Sequence, residues 1–199
     1  MCGRYVLFSE KENREIMKII NEIDKRFGSK ANIKTGEVFP TDAAPVLITG
    51  DQKLLPTIMN WGFPNFQNKG VIINARSETA IERPTFREAL LTRRCVIPST
   101  GFYEWTHPQG KKHKDKYLFT LPGMQMLYMA GLYSTFKIDG QFVSRFVILT
   151  TEANASMCEI HNRMPIVLQR NHLEAWVKNT DIALEILQAK SPELERIVV

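Results

Sequence analysis

The sequence predicts a single α+β domain over residues 1–199, built on a curved, mainly antiparallel sheet or barrel-like core with flanking helices. Extended runs far outnumber helical ones, which favours a sheet over a helix bundle. At 199 residues the chain can bury a substantial core, and 44% hydrophobic with 24% charged content is ordinary for a folded protein. No internal repeat, low-complexity tract or linker interrupts it.

RYVLF begins the series as a short strand. Ser9 and Glu12 then form a capping box for a helix in which Ile16, Ile19, Ile20, Ile23 and Phe27 recur at helical spacing, and Gly28 ends it. EVFP, PVLITG, LLPTIMNWGF and VIINAR read as strands. Thr85 and Glu88 make a second capping box, for a short helix over 85–91. RCVIPSTGFYEW, KYLFTLP, MLYMAGLYS and RFVILTTEA return to extended patterning, TEANASMCEIH reads as helix or turn, and RMPIVL as extended. Asn171 with Glu174 caps NHLEAWVK, and a last helix is expected over 180–189.

Composition narrows the function classes. No apolar run is long enough to span a bilayer and no charged-then-apolar leader precedes the first strand, so the expectation is a cytoplasmic protein with no membrane partner. Cys2, Cys95 and Cys158 are odd in number and far apart, which suggests neither a disulfide framework nor a CxxC zinc site. His107, His113 and His172 lack metal spacing, and neither a phosphate-cradling glycine loop nor the zinc-deaminase signature occurs, so no metal or cofactor is expected. The net charge of +5 permits a polyanionic partner without requiring one. Part of it lies in Lys111, Lys112, Lys114 and Lys116, a tract that suits a solvated hairpin tip first and a phosphate contact second.

Cys2 is the most reactive candidate. Residue 2 is small enough for methionine removal, which would leave an α-amine beside its own thiol. With the amine titrating near about 7.7–8.0 and the thiol near about 8.5, both nucleophiles are partly available around neutral pH. Such a 1,2-aminothiol attacks an aldehyde through nitrogen and closes sulfur onto the same carbon, giving a thiazolidine. It can equally serve as an N-terminal nucleophile hydrolase, or simply be inert.

Four further stretches carry polar groups that strand packing does not demand. Asn74 and Arg76 in NARSET alternate around Ala75 and share one face, a donor pair suited to an oxyanion or phosphate, or else an exposed strand end. Glu104 sits among Phe102, Tyr103 and Trp105, where an aromatic surround would raise its pKa for acid/base work, unless alternation turns it to water. His161 and Arg163 in HNRMPIVL could shuttle a proton and hold a phosphate, with a capping or core-rim histidine as the alternative. A helix there would bring Cys158 to His161 as a rival thiol/imidazole pair. Trp61 and Phe63 in NWGFP offer stacking rings or core aromatics, and Cys95 reads as core.

In order and spacing, MCGR, PTDAAPVLI, NWGF, NARSET, RRCVIPSTGFYEW, TTEAN and HNRMPIVL resemble the SOS-response-associated peptidase (SRAP) family. The resemblance runs from Cys2 to about Leu168. It implies a mixed α/β barrel-like fold with a basic channel for single-stranded DNA, in which Cys2 captures the ring-opened aldehyde of an abasic site as a thiazolidine cross-link. By the same resemblance Asn74 holds the Cys2 amine or the sugar, Glu104 assists ring opening, and His161 donates a proton to the sugar hydroxyl. Arg4, Arg76 and Arg163 correspond to phosphate-binding positions, and Trp61 and Phe63 to residues that stack on bases or wedge the duplex. The expected partner is thus single-stranded DNA with abasic sites, met by a monomer that is nucleoid-associated when bound. Two rival readings remain: a cysteine-dependent peptidase or amidase using Cys2 or the Cys158/His161 pair, and a non-covalent nucleic-acid-binding module.

Overall fold

The computed structural model describes residues 2–7, 13–28, 33–65, 69–106 and 114–199. Along the chain run β1 (Arg4–Leu7), α1 (Arg14–Phe27), β2 (Gly36–Val38), β3 (Ala43–Thr49), β4 (Leu54–Trp61), β5 (Phe63–Pro64), β6 (Val71–Ile72), β7 (Asn74–Arg76), α2 (Ser77–Ala80), α3 (Pro84–Thr92) and β8 (Arg94–Ser99). They are followed by β9 (Gly101–Trp105), β10 (Lys116–Thr120), β11 (Leu127–Ile138), β12 (Gln141–Glu152), β13 (Arg163–Pro165), β14 (Val167–Leu168), α4 (Leu173–Lys178), α5 (Thr180–Gln188) and β15 (Glu195–Val198). The α+β class expected from the sequence is the one observed.

Strands β15-β10-β9-β1-β2 form an antiparallel sheet. A larger sheet runs β13-β12-β4-β3-β8-β11-β14, with β7 also beside β12. It is antiparallel except where β4 and β7 lie parallel to β12. One hydrophobic cluster draws on both sheets, from Tyr5, Val38 and Phe102 in the first to Val46, Ile97 and Val147 in the second. Every residue of β8 is buried, so between the polar ends Arg94 and Ser99 the strand reads as a short apolar run, Cys95 to Pro98, and not as an alternation.

Several boundaries differ from the sequence reading, each for a local reason. β11 and β12 are longer than the apolar runs within them, because their distal halves alternate out into solvent. A tight turn at Asp139 and Gly140, with φ of 49° and 81°, joins them; paired positive φ values match the strand twist of a two-residue hairpin. α1 is capped by Asn13, whose Oδ1 accepts the amide of Ile16 at 3.2 Å; Ser9 and Glu12 lie outside the described residues. The Thr85 capping box is not formed. Pro84 takes the first helical position, where its missing N–H does no harm, and Thr85 falls inside the helix. Asn171 lies in a 3₁₀ turn, Arg170–His172, that leads into α4 without a side-chain cap. α5 is capped instead by Asn179, which accepts from Ile182 N at 3.1 Å. β15 was not anticipated, since a strand exposed along its whole length leaves no apolar alternation to read.

Two buried polar residues lock the layers. Arg94 is buried with no carboxylate partner among the described residues, and its guanidinium donates to the carbonyls of Leu90, Leu91, Trp176 and Val177 at 2.7, 2.9, 2.5 and 3.3 Å. It thereby satisfies the open carbonyl ends of α3 and α4 at once. Ser99 Oγ, at the end of β8, shares its proton between the carbonyls of Val6 and Gly101 at 3.1 and 2.6 Å and fixes the corner from which β9 departs.

Strand β9 can approach β10 closely because Gly101 has no side chain. A Cβ there would stand 2.7 Å from the carbonyl oxygen of Phe119 and 2.8 Å from Leu118 Cδ1. Gly101→Ala is therefore expected to destabilise the protein by about 1–3 kcal/mol through overpacking. Denaturant unfolding of the two proteins measures it.

Candidate active site

β1 lies between β2 and β9, with Arg4 opposite Tyr103 and Tyr5 opposite Phe102. Extending that register by one residue sets Glu104 beside Gly3, next to Cys2. From the other sheet, β7 runs beside β12 with Asn74 opposite Ile148. Asn74 Nδ2 donates to the carbonyl of Cys2 at 3.0 Å. The residue before it is held as well, since Trp61 Nε1 donates to the carbonyl of Ile73 at 3.0 Å. Three of the candidate residues, Cys2, Asn74 and Glu104, are thus brought together from separate strands.

Their electrostatics differ from the sequence expectation of a partly ionised thiol. Cys2 is completely buried, and its Sγ makes one long contact to the carbonyl of Arg4 at 3.8 Å. Burial pushes the thiol pKa well above the ordinary cysteine range, and the nearby Glu104 carboxylate pushes it further the same way. The thiol is therefore neutral at physiological pH. While Met1 is attached, the nitrogen of Cys2 is an amide and not an amine, so this is the chain before any aminothiol is released. Glu104 is itself 5% exposed, which resolves the sequence alternatives in favour of the enclosed carboxylate; its Oε1 accepts the amide of Trp105 at 3.4 Å. Asn74 Oδ1 is buried and has no hydrogen-bond partner among the described residues.

His161 ends the turns that precede β13, and its Nδ1 accepts the amide of Arg163 at 2.9 Å. In the neutral imidazole this places the proton on Nε2. After Thr151 and Glu152, which end β12, TEANASMCEIH forms turns, one of the two forms expected, so the helix that would pair the rival Cys158 with His161 is not formed. Cys158 is exposed, with Sγ towards the carbonyl of Ala155 at 3.7 Å. Cys95 is core, as expected, and burial raises its thiol pKa too.

The three arginines are held differently. Arg4 is half-buried, donating to Glu37 at 3.3 Å, with its guanidinium 4.2 Å from the Phe39 ring centre and 5.0 Å from that of Trp105. Arg76 is exposed at the end of β7 and makes no ion pair with another described residue. Arg163 does not present its charge to solvent. It grips Glu78 through both terminal nitrogens at 2.6 and 2.8 Å and donates to the carbonyl of Thr150 at 2.7 Å. That fork lowers the Glu78 pKa. Both aromatics offered for stacking are core residues instead. Trp61 is buried against Tyr5 and Phe146, at centroid distances of 5.3 and 6.3 Å, and Phe63 against Phe136 at 5.0 Å. Neither ring offers a face to a base.

Two functional-looking groups escaped the sequence reading. Glu37 bridges Arg4 and Lys116, the latter at 2.5 Å and 3.7 Å above the Tyr103 ring centre. Lys116 is therefore a strand residue and not part of a hairpin tip, while Lys111 and Lys112 lie outside the described residues. Glu78 follows Arg76 by two residues and marked itself only as an acidic neighbour. Among the described residues no cluster of His, Cys, Asp and Glu has metal-binding geometry.

Comparison with known proteins adds to this geometry. A family model described as SOS response associated peptidase (SRAP) matches residues 1–198. The abasic site processing protein YoqW of Bacillus subtilis (strain 168) is 34% identical over 201 residues, covering 91% of this chain and 83% of its own. The abasic site processing protein YedK of Escherichia coli (strain K12) is 28% identical over 182 residues, covering 89% and 80%. A crystal structure of a protein from Bacteroides thetaiotaomicron superposes with a TM-score of 0.78 at 24% identity, covering all of this chain and 92% of that one, and so shares the fold.

The Glu104 field makes a pH-dependent prediction. A nearby negative charge opposes thiolate formation, so Glu104→Gln lowers the Cys2 pKa and raises its thiolate fraction at any given pH. Alkylation followed by mass spectrometry should show Cys158 labelled first in both proteins, Cys2 labelled faster in the variant, and Cys95 unchanged.

Proposed function

The chain belongs to the SOS response associated peptidase family, and from that premise we propose that it recognises abasic sites in single-stranded DNA and captures them covalently through Cys2. The observation that carries the reading is the juxtaposition of Cys2, Asn74 and Glu104, tied by the 3.0 Å bond from Asn74 to the Cys2 carbonyl and by the influence of Glu104 on the thiol. Relatives that align along most of the chain are abasic site processing proteins, which supports the same substrate.

The chemistry runs from an amine to a ring. An abasic deoxyribose equilibrates between a closed hemiacetal and an open aldehyde. Glu104 assists opening by moving the proton of the C1′ hydroxyl, and His161 Nε2 protonates O4′ as it is released. Once Met1 is removed, the Cys2 amine adds to C1′, and Glu104 returns its proton to the C1′ oxygen as that oxygen leaves as water, giving an iminium and a carboxylate again. Asn74 Oδ1, an acceptor with no described partner, orients that amine. The Cys2 thiol then adds to the same carbon. Being neutral, it must lose its proton in this step, and the Glu104 carboxylate beside it accepts that proton. Sulfur addition consumes the iminium and with it the electron sink that drives β-elimination, so the strand remains intact.

Two roles follow for the surrounding charge. Arg76, exposed and unpaired with described residues, is the phosphate contact most available without rearrangement. Arg4 would exchange its 3.3 Å contact with Glu37 for a phosphate. Arg163, expected at a phosphate, is engaged by Glu78 and the Thr150 carbonyl and is given no phosphate here.

Mixing the mature protein with an oligonucleotide that carries one abasic site should give a covalent band that survives denaturation. Cys2→Ala should abolish it, and so should a form that keeps Met1, as identified by intact mass. Efficient cross-linking by Cys2→Ala would remove the nucleophile from this proposal. Glu104→Gln is expected to slow the reaction by about 10²-fold or more, the scale of acid–base assistance. DNA affinity should change little, whereas a parallel fall in affinity would give Glu104 a structural role.

A further inference from the structure

Asn154 closes the TTEAN motif, yet the chemistry above gives it no task. Its side chain nonetheless uses donors and acceptor alike. Oδ1 accepts from the amide and hydroxyl of Ser156 at 3.2 and 2.6 Å, and Nδ2 donates to the carbonyls of Ser191 and Pro192 at 3.1 and 2.9 Å. One amide thus joins two segments that are far apart in sequence.

The first segment is the excursion over 153–162, closed at its base by the amide of Ala153 donating to Asn162 at 3.1 Å. Inside it the Asn154 carbonyl accepts from Met157 and Cys158 at 3.1 and 3.0 Å, and the Met157 carbonyl accepts from Ile160 and His161 at 2.9 and 3.1 Å. Met157 and Ile160 are buried and hold the underside of these turns. His161 is the last residue of that chain of turns. Its backbone is tied to the Met157 carbonyl, and so to the turn whose first residues the Asn154 side chain pins at Ser156.

The second segment is the strap over 191–198. The amide of Leu194 donates to Ser156 Oγ at 3.1 Å, and Arg196 reaches back to the Ser156 carbonyl at 3.4 Å and to Glu159 at 2.5 Å. The strap then becomes β15, in which Val198 stands opposite Tyr117, and Tyr117 in turn stands opposite Glu104. A continuous path of hydrogen bonds therefore runs from the turns that bear His161, through Asn154 and the strap, to the strand that bears Glu104.

We infer that Asn154 is a positioning residue which, acting with the strap over 191–198, fixes the His161 imidazole relative to the Glu104 carboxylate. The inference rests on the proposed function only for what the imidazole does once placed. Acid–base partners must be held within about 0.5 Å of productive geometry, and the buried Met157 and Ile160 brace only the underside of these turns, leaving their outer edge to Asn154 and the strap. Asparagine suits the junction because it offers two donors and an acceptor on a short planar group. Aspartate would set a negative charge against two carbonyl oxygens, and glutamine would be too long by a methylene.

The test compares mature full-length wild type with Asn154→Ala, Arg196→Ala, His161→Ala and the Asn154→Ala/His161→Ala double variant. Single-turnover cross-linking to an oligonucleotide with one abasic site is read beside affinity for one carrying a tetrahydrofuran analogue, which has no aldehyde. The His161 imidazole is followed by NMR. Asn154→Ala should slow cross-linking by about tenfold to a hundredfold, as for a misplaced acid–base group, with little change in affinity. The double variant should be no slower than His161→Ala, and the His161 resonances should shift in Asn154→Ala. Arg196→Ala, a surface change that leaves the core untouched, should give a weaker version of the same pattern and carries the test should Asn154→Ala not fold. Losses that multiply in the double variant, or His161 resonances that stay in place, would overturn the inference. If His161→Ala itself reacts at the wild-type rate, the proton-donor role fails, and the resonances alone decide the positioning.

Discussion

The site depends on one hydrogen bond, from Asn74 Nδ2 to the carbonyl of Cys2. Cys2 precedes β1 in the antiparallel sheet, whereas Asn74 opens β7 against β12 in the larger one. The bond therefore joins the leading residues of the chain to the opposite layer, where strand pairing cannot reach them. Its donor is itself anchored, because the indole of Trp61 holds Ile73 and the ring lies stacked on Phe146. A buried amide bond of this kind contributes only about 1 kcal/mol net, but leaving its carbonyl unpaired would cost more. Its main effect is geometric: a terminus that would otherwise fray is given one position.

Around that bond, charge is arranged by pairing more than by accumulation. The positive residues near the site are not a bare cationic surface. Arg4 and Lys116 share Glu37, and Arg163 is taken by Glu78. Such pairs need no large desolvation while they stay half-exposed, and they can be exchanged for phosphate oxygens at modest cost. The Arg163 pair is the exception. Arg163 itself is buried while Glu78 lies at the surface, and the Thr150 carbonyl reinforces the contact, so the pair serves as a brace between β12, β13 and α2.

Much of this was legible in the sequence where one local rule governs one residue. Alternation around Ala75 set Asn74 and Arg76 on one face, and the apolar run at Cys95 marked a core strand. The class of fold followed from the excess of extended runs. What could not be read was anything decided by a partner distant in the chain. Trp61 and Phe63 look alike as stacking platforms or as core until the sheet that covers them is known. Arg163 looks like a phosphate ligand until Glu78, 85 residues away, is placed beside it. The thiol ionisation of Cys2 could not be read for the same reason, since reference ionisation constants hold in water and the folded chain encloses this sulfur beside Glu104.

The sealed state of the Cys2 sulfur bears on how it meets oxidants. Peroxide attacks the thiolate, and its selectivity among cysteines follows ionisation and access. A sulfur that is both enclosed and protonated is a poor target, whereas Cys158 on the surface is open to reagents from solvent. An oxidant arriving from solvent therefore meets the Cys158 sulfur before that of Cys2, which the fold encloses.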